Sequence, residues 1–242
     1  MSNSLPVSIS PCPIQEAVVE IRFSTAIPPD AVFGILYAKV KQKFNTTNAL
    51  PILQIPEAIR SQDPNLTYQP HYMLSHGNLN LKIGPKVIGF SCIAPYVGWE
   101  HYFSFVTEVI EATRDTGVIE RPERLGLRYI NYFPMPVLDV IDLGIQFGAM
   151  QVSQEPTYLR TEFKHDDFDK IVSITNNMSI TLPGKTELGS LLDIDCVHTF
   201  SQDASSSYSM YDHIINQGHE IEKLTFFKML KPDFLATLDP KY

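Results

Sequence analysis

The feature that most constrains this chain is an alternation of apolar and polar residues that recurs along its length. In AVVEIRF, the charged Glu20 and Arg22 alternate with valine, isoleucine and phenylalanine. The same period of two appears in NLNLKI, RLGLRYINYF and SLLDIDCVHTF. Because successive side chains of a strand point to opposite faces, this pattern predicts strands that bury one face and leave the other polar. Such strands are typical of antiparallel sheets covered on one side.

Three segments between these strands show a helical period instead. An apolar stripe follows the paired prolines of AIPPDA and runs to about Phe44, and a second runs from Gly98 to about Thr116. A long final helix ends at Pro232, and the serine-rich DASSSYS before it supplies an N-cap. The order of elements predicts an α+β fold: two antiparallel-sheet units with helices packed on one face and a long C-terminal helix.

Two prolines, Pro134 and Pro136, mark a change of unit. Residues 1–134 are predicted to form an N-terminal α+β unit, and residues 135–242 a β-rich unit that ends in the long helix. The second unit includes LGIQFGAMQV, interpreted as one strand. The sequence leaves open whether the two units form one continuous domain.

Charge and cysteine content narrow the classes of function. The net charge of -8 argues against broad binding to nucleic-acid phosphates, which requires a clustered basic surface. No apolar run approaches the roughly 20 residues of a membrane span. The first residues lack the charged start and apolar centre of a signal peptide. Cys12, Cys92 and Cys196 lie far apart and form no CxxC, which predicts reduced thiols in a cytoplasmic protein without a cofactor.

Two carboxylates stand out in SLLDIDCVHTF, because Asp193 and Asp195 face the same way on a predicted strand. Two carboxylates on one strand face can hold Mg²⁺, which would make them metal ligands. The preceding Gly-Ser does not complete a nucleotidyltransferase signature, because that motif needs a helix before the aspartates. The favoured interpretation is the polar face of a strand, solvated or paired with Arg128 or Arg160.

Charged residues also alternate with apolar ones in two strands that are expected to be central. Glu20 is expected to meet Arg128 if the strand that closes the first unit lies beside the opening strand. Such ion pairs are favoured over anion binding by the arginines. The alternative is a small-ligand or anion sensor, in which Arg22 and Arg128 line a pocket between sheet and helix.

A histidine near the end of the chain offers acid/base chemistry. His219 is followed by Glu220, and the two can form an acid/base pair. A solvated or capped histidine is favoured over that pair. No GxSxG elbow, HExxH motif or GxGxxG turn occurs, so no catalytic residue is assigned from a motif.

Four segments occur in a recognisable order: PIQEAVVEIRF, ERLGLRYINYF, LLDID and HEIEKLTFFKMLKPDFLATLDP. Together they resemble the sporadically distributed family of conserved hypothetical proteins, of about this length, found in bacteria and archaea. That resemblance implies no activity and no catalytic residue. The patchy distribution of the family suggests toxin–antitoxin or antiphage-defence neighbourhoods. The positions that match its motifs are Glu20, Arg22, Arg124, Arg128, Asn131, Asp193, Asp195 and His219.

The leading hypothesis is a non-enzymatic cytoplasmic module that binds another protein, such as the product of a neighbouring gene, or a second copy of itself. An acidic surface, the lack of a catalytic motif and the many strands that offer an edge favour it. Its predicted binding residues are Glu20, Arg22, Arg124, Arg128 and Asn131. The alternative is a metal-dependent enzyme acting on nucleotides or nucleic acid, with Asp193 and Asp195 as ligands and His219 as acid/base.

Overall fold

Strands and helices alternate through the part of the chain that the computed structural model describes, residues 4–182, 184–201 and 208–242. The elements up to the middle of the chain are β1 (Ile14–Ser24), α1 (Pro29–Val40), β2 (Thr46–Ala49), α2 (Glu57–Arg60), β3 (Tyr72–His76), β4 (Leu79–Gly84), β5 (Val87–Ile93), α3 (Trp99–Thr113) and β6 (Arg121–Phe133). The later elements are β7 (Ile145–Phe147), β8 (Met150–Val152), β9 (Thr157–His165), β10 (Phe168–Leu182), β11 (Lys185–Thr199), α4 (Tyr208–Met229) and α5 (Pro232–Thr237).

One antiparallel sheet of nine strands runs in the order β2-β3-β4-β5-β1-β6-β11-β10-β9, and β7 and β8 form a separate hairpin. The α+β prediction is confirmed, and strands of both predicted units belong to one continuous sheet, which the sequence had left open. β6 pairs with β1 on one edge and with β11 on the other, which joins strands from both sides of Pro134. Pro134 follows β6 and interrupts none of its ladder bonds. The division at residue 134 into two units stays a prediction.

The two parts of the chain repeat one topology around the antiparallel pair β1 and β6. In the first part, β1 is followed by the meander β3-β4-β5 and by α3, and β5 pairs back with β1. In the second part, β6 is followed by the meander β9-β10-β11 and by α4, and β11 pairs back with β6. The sheet is therefore built from two similarly ordered halves that meet at its centre.

Helices α1, α3 and α4 cover one face of this sheet, which we call the covered face; the other is the open face. α3 contacts both of the other helices. One register row of the covered face crosses six strands and is buried throughout, as the period of two requires. Its residues are Leu74, Leu81, Phe90, Val19, Leu127 and Cys196.

The hydroxyl of Tyr102 connects α3 to two strands of the sheet. It accepts a hydrogen bond from the Val19 N–H at 3.0 Å and donates to the Phe90 carbonyl, 2.9 Å away. Val19 and Phe90 are register partners of β1 and β5. The ring is completely buried, so the helix position is coupled to the spacing of two central strands.

The predicted elements agree with local chemistry, with four differences. α1 ends at Val40 and not near Phe44. α3 ends at Thr113 and tightens into a 3₁₀ turn up to Gly117, whose φ of 69° suits glycine. The 22-residue α4 is not the last element, because α5 begins at Pro232. LGIQFGAMQV is a hairpin and not one strand, since Gly148, at φ 59°, turns the chain between β7 and β8.

The predicted N-cap in DASSSYS lies outside the described residues. Within the described part, no helix combines the length and the apolar character that crossing a bilayer requires.

Candidate functional site

The open face carries a cluster of charges in which each of the predicted polar residues has a partner. The Arg124 guanidinium lies between two carboxylates, with Nη1 3.0 Å from Glu20 Oε1 and Nη2 3.2 Å from Asp195 Oδ2. Arg22 donates from Nε to the same Glu20 oxygen at 2.7 Å. The cluster thus links β1, β6 and β11 through alternating charges.

Asp193 forms the second part of the cluster with Arg128. The contact is bidentate, with Nε and Nη2 of Arg128 2.8 and 2.6 Å from the two carboxylate oxygens. The expected pair of Glu20 with Arg128 is wrong, because the residue opposite Glu20 on β6 is Gly126. A Cβ atom at Gly126 would lie 3.0 Å from Arg124 Nη1, so the glycine leaves the room through which Arg124 reaches Glu20.

This pairing bears on the metal hypothesis for Asp193 and Asp195. Burial raises the pKa of Asp195, and the neighbouring Arg124 and Arg128 lower it only in part. A cation at this site would have to displace two guanidinium groups that already hold the carboxylates. Within the described residues, no group of three or more histidine, cysteine and acidic side chains is placed to hold a metal.

The structure separates the predicted residues into two sets. Arg22 and Arg128 lie on the open face, so the expected pocket between sheet and helix cannot contain them. Asn131 and His219 lie on the covered face instead. The sheet therefore stands between His219 and the two aspartates, and the structure does not bring the residues of the metal-enzyme hypothesis together.

A cavity of about 660 Å³ lies on the covered face, where the two halves meet. Its walls are the segment before α3 and the start of that helix, β6, the second part of α4, and the N-terminal segment around Cys12. Ser8 and Ser10 attach that N-terminal segment to the other end of the chain, through backbone bonds with Lys241 and Leu238. The volume is in the range of small-molecule sites.

His219 forms one wall of this cavity and is 8% exposed. Its ring is stacked on Trp99 with 3.8 Å between ring centroids, and Nδ1 lies 3.1 Å from the Tyr129 hydroxyl. Burial, with a smaller contribution from Lys223, lowers the pKa of His219 to about 3, so the imidazole is neutral near pH 7. The favoured interpretation of a solvated or capped histidine is wrong. Glu220 is exposed, so the two do not form a buried acid/base pair.

Two tyrosines and an asparagine give the cavity an ordered polar floor. The Tyr96 and Tyr129 hydroxyls are 3.3 Å apart, which extends the hydrogen-bond chain from His219. Burial raises the pKa of both tyrosines above the usual range, so both are neutral. Asn131 donates from Nδ2 to the Leu192 carbonyl at 3.2 Å, which holds its amide in place.

One buried polar side chain of the cavity has no partner among the described residues. Glu222 lies one turn after His219 on α4 and is only 5% exposed. Among the described residues, its carboxyl makes neither a hydrogen bond nor an ion pair. Burial raises the pKa of Glu222 to about 8, so the group is mostly protonated at pH 7. The cavity therefore contains one carboxyl whose hydrogen-bonding capacity the protein leaves unused.

The sequence interpretation missed Tyr96, Trp99, Tyr129 and Glu222, although one signal was available for the last of them. Tyr211, Ile215 and Gly218 follow each other at helical spacing, and Glu222 occupies the next place in the same stripe. A glutamate in the apolar stripe of a helix indicates a buried carboxyl. The aromatic residues gave no such signal, because their spacing is that of an ordinary core.

No protein-family model matches the chain, and no curated protein matches it either. The resemblance to the sporadically distributed family therefore stays a prediction.

Proposed function

We propose that this protein binds a small organic molecule in the cavity between α3, α4 and β6. The observation that carries the proposal is the unpartnered, buried Glu222 in a cavity where the buried Tyr129, Asn131 and His219 already have hydrogen-bond partners. Buried polar groups normally have partners, and an exception in a cavity is a reason to expect a ligand. The aromatic walls supply the apolar surface, and the chain of Tyr96, Tyr129 and His219 supplies fixed polar contacts.

A free thiol at the cavity gives a direct test. Cys12 is exposed and lines the cavity, whereas Cys92 and Cys196 are buried. Compounds that raise the melting temperature in a thermal-shift screen are added during alkylation by iodoacetamide at pH 8.5. A compound bound in the cavity lowers the rate of Cys12 alkylation in proportion to its occupancy. Cys12→Ser, which removes the alkylation of this residue, is the control that assigns the signal.

If every stabilising compound leaves the rate of Cys12 alkylation unchanged, binding occurs elsewhere and the cavity is not the site.

The second candidate function is protein binding through β9, the last strand of the sheet. The opposite edge, β2, is a short polar strand of four residues, which discourages pairing. β9 has nine residues, and Tyr158 and Phe163 on it are 63% and 49% exposed. A long edge strand with exposed aromatic residues can accept another strand.

The partner that fits this edge is a second copy of the chain. If two copies of β9 pair antiparallel around Thr161, unlike charges fall opposite each other on one face and apolar residues on the other. The resulting opposite pairs are Arg160 with Glu162, Leu159 with Phe163, and Tyr158 with Lys164. The hypothesis of a toxin, antitoxin or defence protein as partner stays a prediction.

A charge swap tests pairing between copies. Arg160→Glu places like charges opposite each other twice and should weaken dimerisation roughly tenfold, measured by sedimentation equilibrium. Arg160→Glu combined with Glu162→Arg restores both unlike pairs and should restore the dimer. A wild-type protein that is monomeric at 100 μM would contradict self-pairing. The partner that binds β9 would then be a different protein.

A further inference from the structure

The charged groups around Glu222 do not neutralise it. On α4, His219 is neutral and Lys223 is only partly buried and makes no ion pair with it. Burial, and after it the charge of Glu222, raises the pKa of Cys196 on β11 to about 12, so that thiol is uncharged as well. Tyr129 on β6 and Tyr96 before α3 are neutral. Lys170 on β10 also faces α4, but it donates to the Thr225 hydroxyl and makes no ion pair with Glu222. Among the described residues no positive charge contacts this carboxyl, so a counter-ion in contact with it would have to come from a ligand.

The charges that line the cavity have an acidic excess. Apart from Glu222, which is mostly protonated, two glutamates, Glu100 and Glu220, stand against one lysine, Lys223. An acidic excess in an aromatic cleft raises the local concentration of cations and lowers that of anions. Lys223 lies on α4 next to Glu220 and Glu222, and these neighbouring carboxyl groups weaken its attraction for an anionic ligand.

The aromatic rings provide the second element of cation recognition. Tyr96, Tyr129, Phe226 and Phe227 line the cavity. Trp99 lines it as well, with its ring stacked against His219 and Phe103. Ring faces attract ammonium groups, and tryptophan and tyrosine do so more strongly than phenylalanine. The combination of a buried carboxyl with a set of aromatic rings is suited to an organic ammonium ion.

We infer that the ligand of this cavity is a small protonated amine, with the Glu222 carboxylate as its counter-ion. This inference rests on the proposed function and names its ligand class. On binding, the ammonium group keeps its protons and donates hydrogen bonds to the carboxylate, while the Glu222 carboxyl releases its own proton to solvent. Ionising Glu222 at pH 7 lowers affinity by only about tenfold, because its pKa of about 8 is one unit higher.

Isothermal titration calorimetry with matched compounds tests the inference. Benzylamine, phenethylamine and cyclohexylmethylamine are each compared with the alcohol and the carboxylate of the same skeleton at pH 7. We expect each amine that binds to exceed its alcohol by roughly tenfold or more in affinity. Titration in phosphate and in HEPES, which differ in ionisation enthalpy and contain no primary amine, should show the release of about 0.9 proton per amine bound.

The variant Glu222→Gln separates the counter-ion from the rest of the cavity. It should lose the preference for amines over alcohols and should release no proton. Asp212→Asn, a matched carboxyl-to-amide change at an exposed position of α4, should keep both. Because glutamine removes a costly buried acid, this variant is expected to fold, and its melting curve verifies that.

The outcomes distinguish the two proposals. Alcohols or carboxylates that protect Cys12 and bind as well as the amines would overturn the amine inference and leave small-molecule binding in place. Amine preference that survives Glu222→Gln would overturn the role of the carboxylate. If no amine binds better than its alcohol and no compound of any class protects Cys12, both proposals fail.

Discussion

Ionisable side chains are paired on the open face of the sheet, whereas a buried one on the covered face is unpaired within the described part of the chain. On the open face, three arginines and three carboxylates are paired, and the largest side-chain exposure among them is 46%, at Arg128. On the covered face, Glu222 is buried and no described residue pairs with it. Partly exposed ion pairs contribute little to stability, whereas a buried, unpaired acid is costly.

This difference shows where function is to be sought. The residues that attracted attention in the sequence, Asp193 and Asp195, are the ones whose charges the protein already satisfies. The cost of an unpaired buried group has to be offset by the rest of the fold, and functional sites are where such costs are commonly found. The comparison therefore favours the cavity over the charged cluster as the functional site.

The largest change in the free energy of unfolding is expected on the covered face, for Glu222→Gln. The rise of this pKa from 4.5 to about 8 makes the folded protein roughly 4 kcal/mol less stable at pH 8 than it would be with a group that stays neutral. The glutamine amide and the protonated carboxyl are both neutral, buried and unpaired, so the variant avoids this pH-dependent cost and should be about 4 kcal/mol more stable at pH 8. Urea unfolding at pH 8 measures this difference, and a destabilised variant would mean that Glu222 has a partner.

The same group determines the pH dependence of the wild-type protein. Since the folded pKa lies above the unfolded one, the stabilising contribution is present at low pH and is lost as the pH rises towards about 8. His219 acts in the opposite direction, because its lowered pKa removes stability only as the pH falls below about 6.5. Between pH 6.5 and 8 the wild type should therefore lose stability, and Glu222→Gln should lose much less.

The next largest effect is expected on the covered face, for Tyr102→Phe. The change removes a hydroxyl that satisfies the Val19 N–H and the Phe90 carbonyl, and both are buried. A loss of about 2 kcal/mol in the free energy of unfolding follows, because the ring stays while two backbone groups lose a partner. Amide hydrogen exchange should show faster exchange at Val19. Unchanged exchange there would contradict the bridging role of the hydroxyl.

A smaller effect is expected for the arginines of the open face. Arg124→Met leaves Glu20 and Asp195 without a shared partner, and the side chain is 23% exposed. A loss of about 1 kcal/mol is expected after allowance for solvent screening. Arg128→Met is the matched control, and its 46% exposure predicts about half that loss. Equal losses of about 2 kcal/mol or more would show that ion pairs on the open face contribute as much to stability as the Tyr102 hydrogen bonds on the covered face.

The smallest effect is expected from metal ions. Since Arg124 and Arg128 already hold the two aspartates, 5 mM Mg²⁺ or Mn²⁺ should leave the melting temperature unchanged. Calorimetric titration checks this with Asp193→Asn/Asp195→Asn as control. Tight binding that disappears in the double variant would return the metal-dependent enzyme to first place.

The period of two in the sequence predicts the long central strands and the face that each one buries, as AVVEIRF and RLGLRYINYF show, but it missed β2 and the turn between β7 and β8. It could not predict strand order, because pairing between β6 and β11 depends on residues far apart in the chain, such as Asp193 and Ile130. Asn131 and His219 were named in advance, but the shared cavity arises only when α4 crosses β6. The partner of Glu20 was missed because Gly126 opposite it lets a side chain reach across from Arg124.

The repeated topology has a consequence for how the cavity is held together. Its walls come from α3 of the first half and from β6 and α4 of the second, so neither half encloses it alone. A molecule bound there touches both halves and acts as a non-covalent cross-link between them. Its binding free energy therefore adds to the cohesion of the two halves. If the backbone were cut in the turn between α3 and β6, the ligand would be expected to tighten the association of the two fragments.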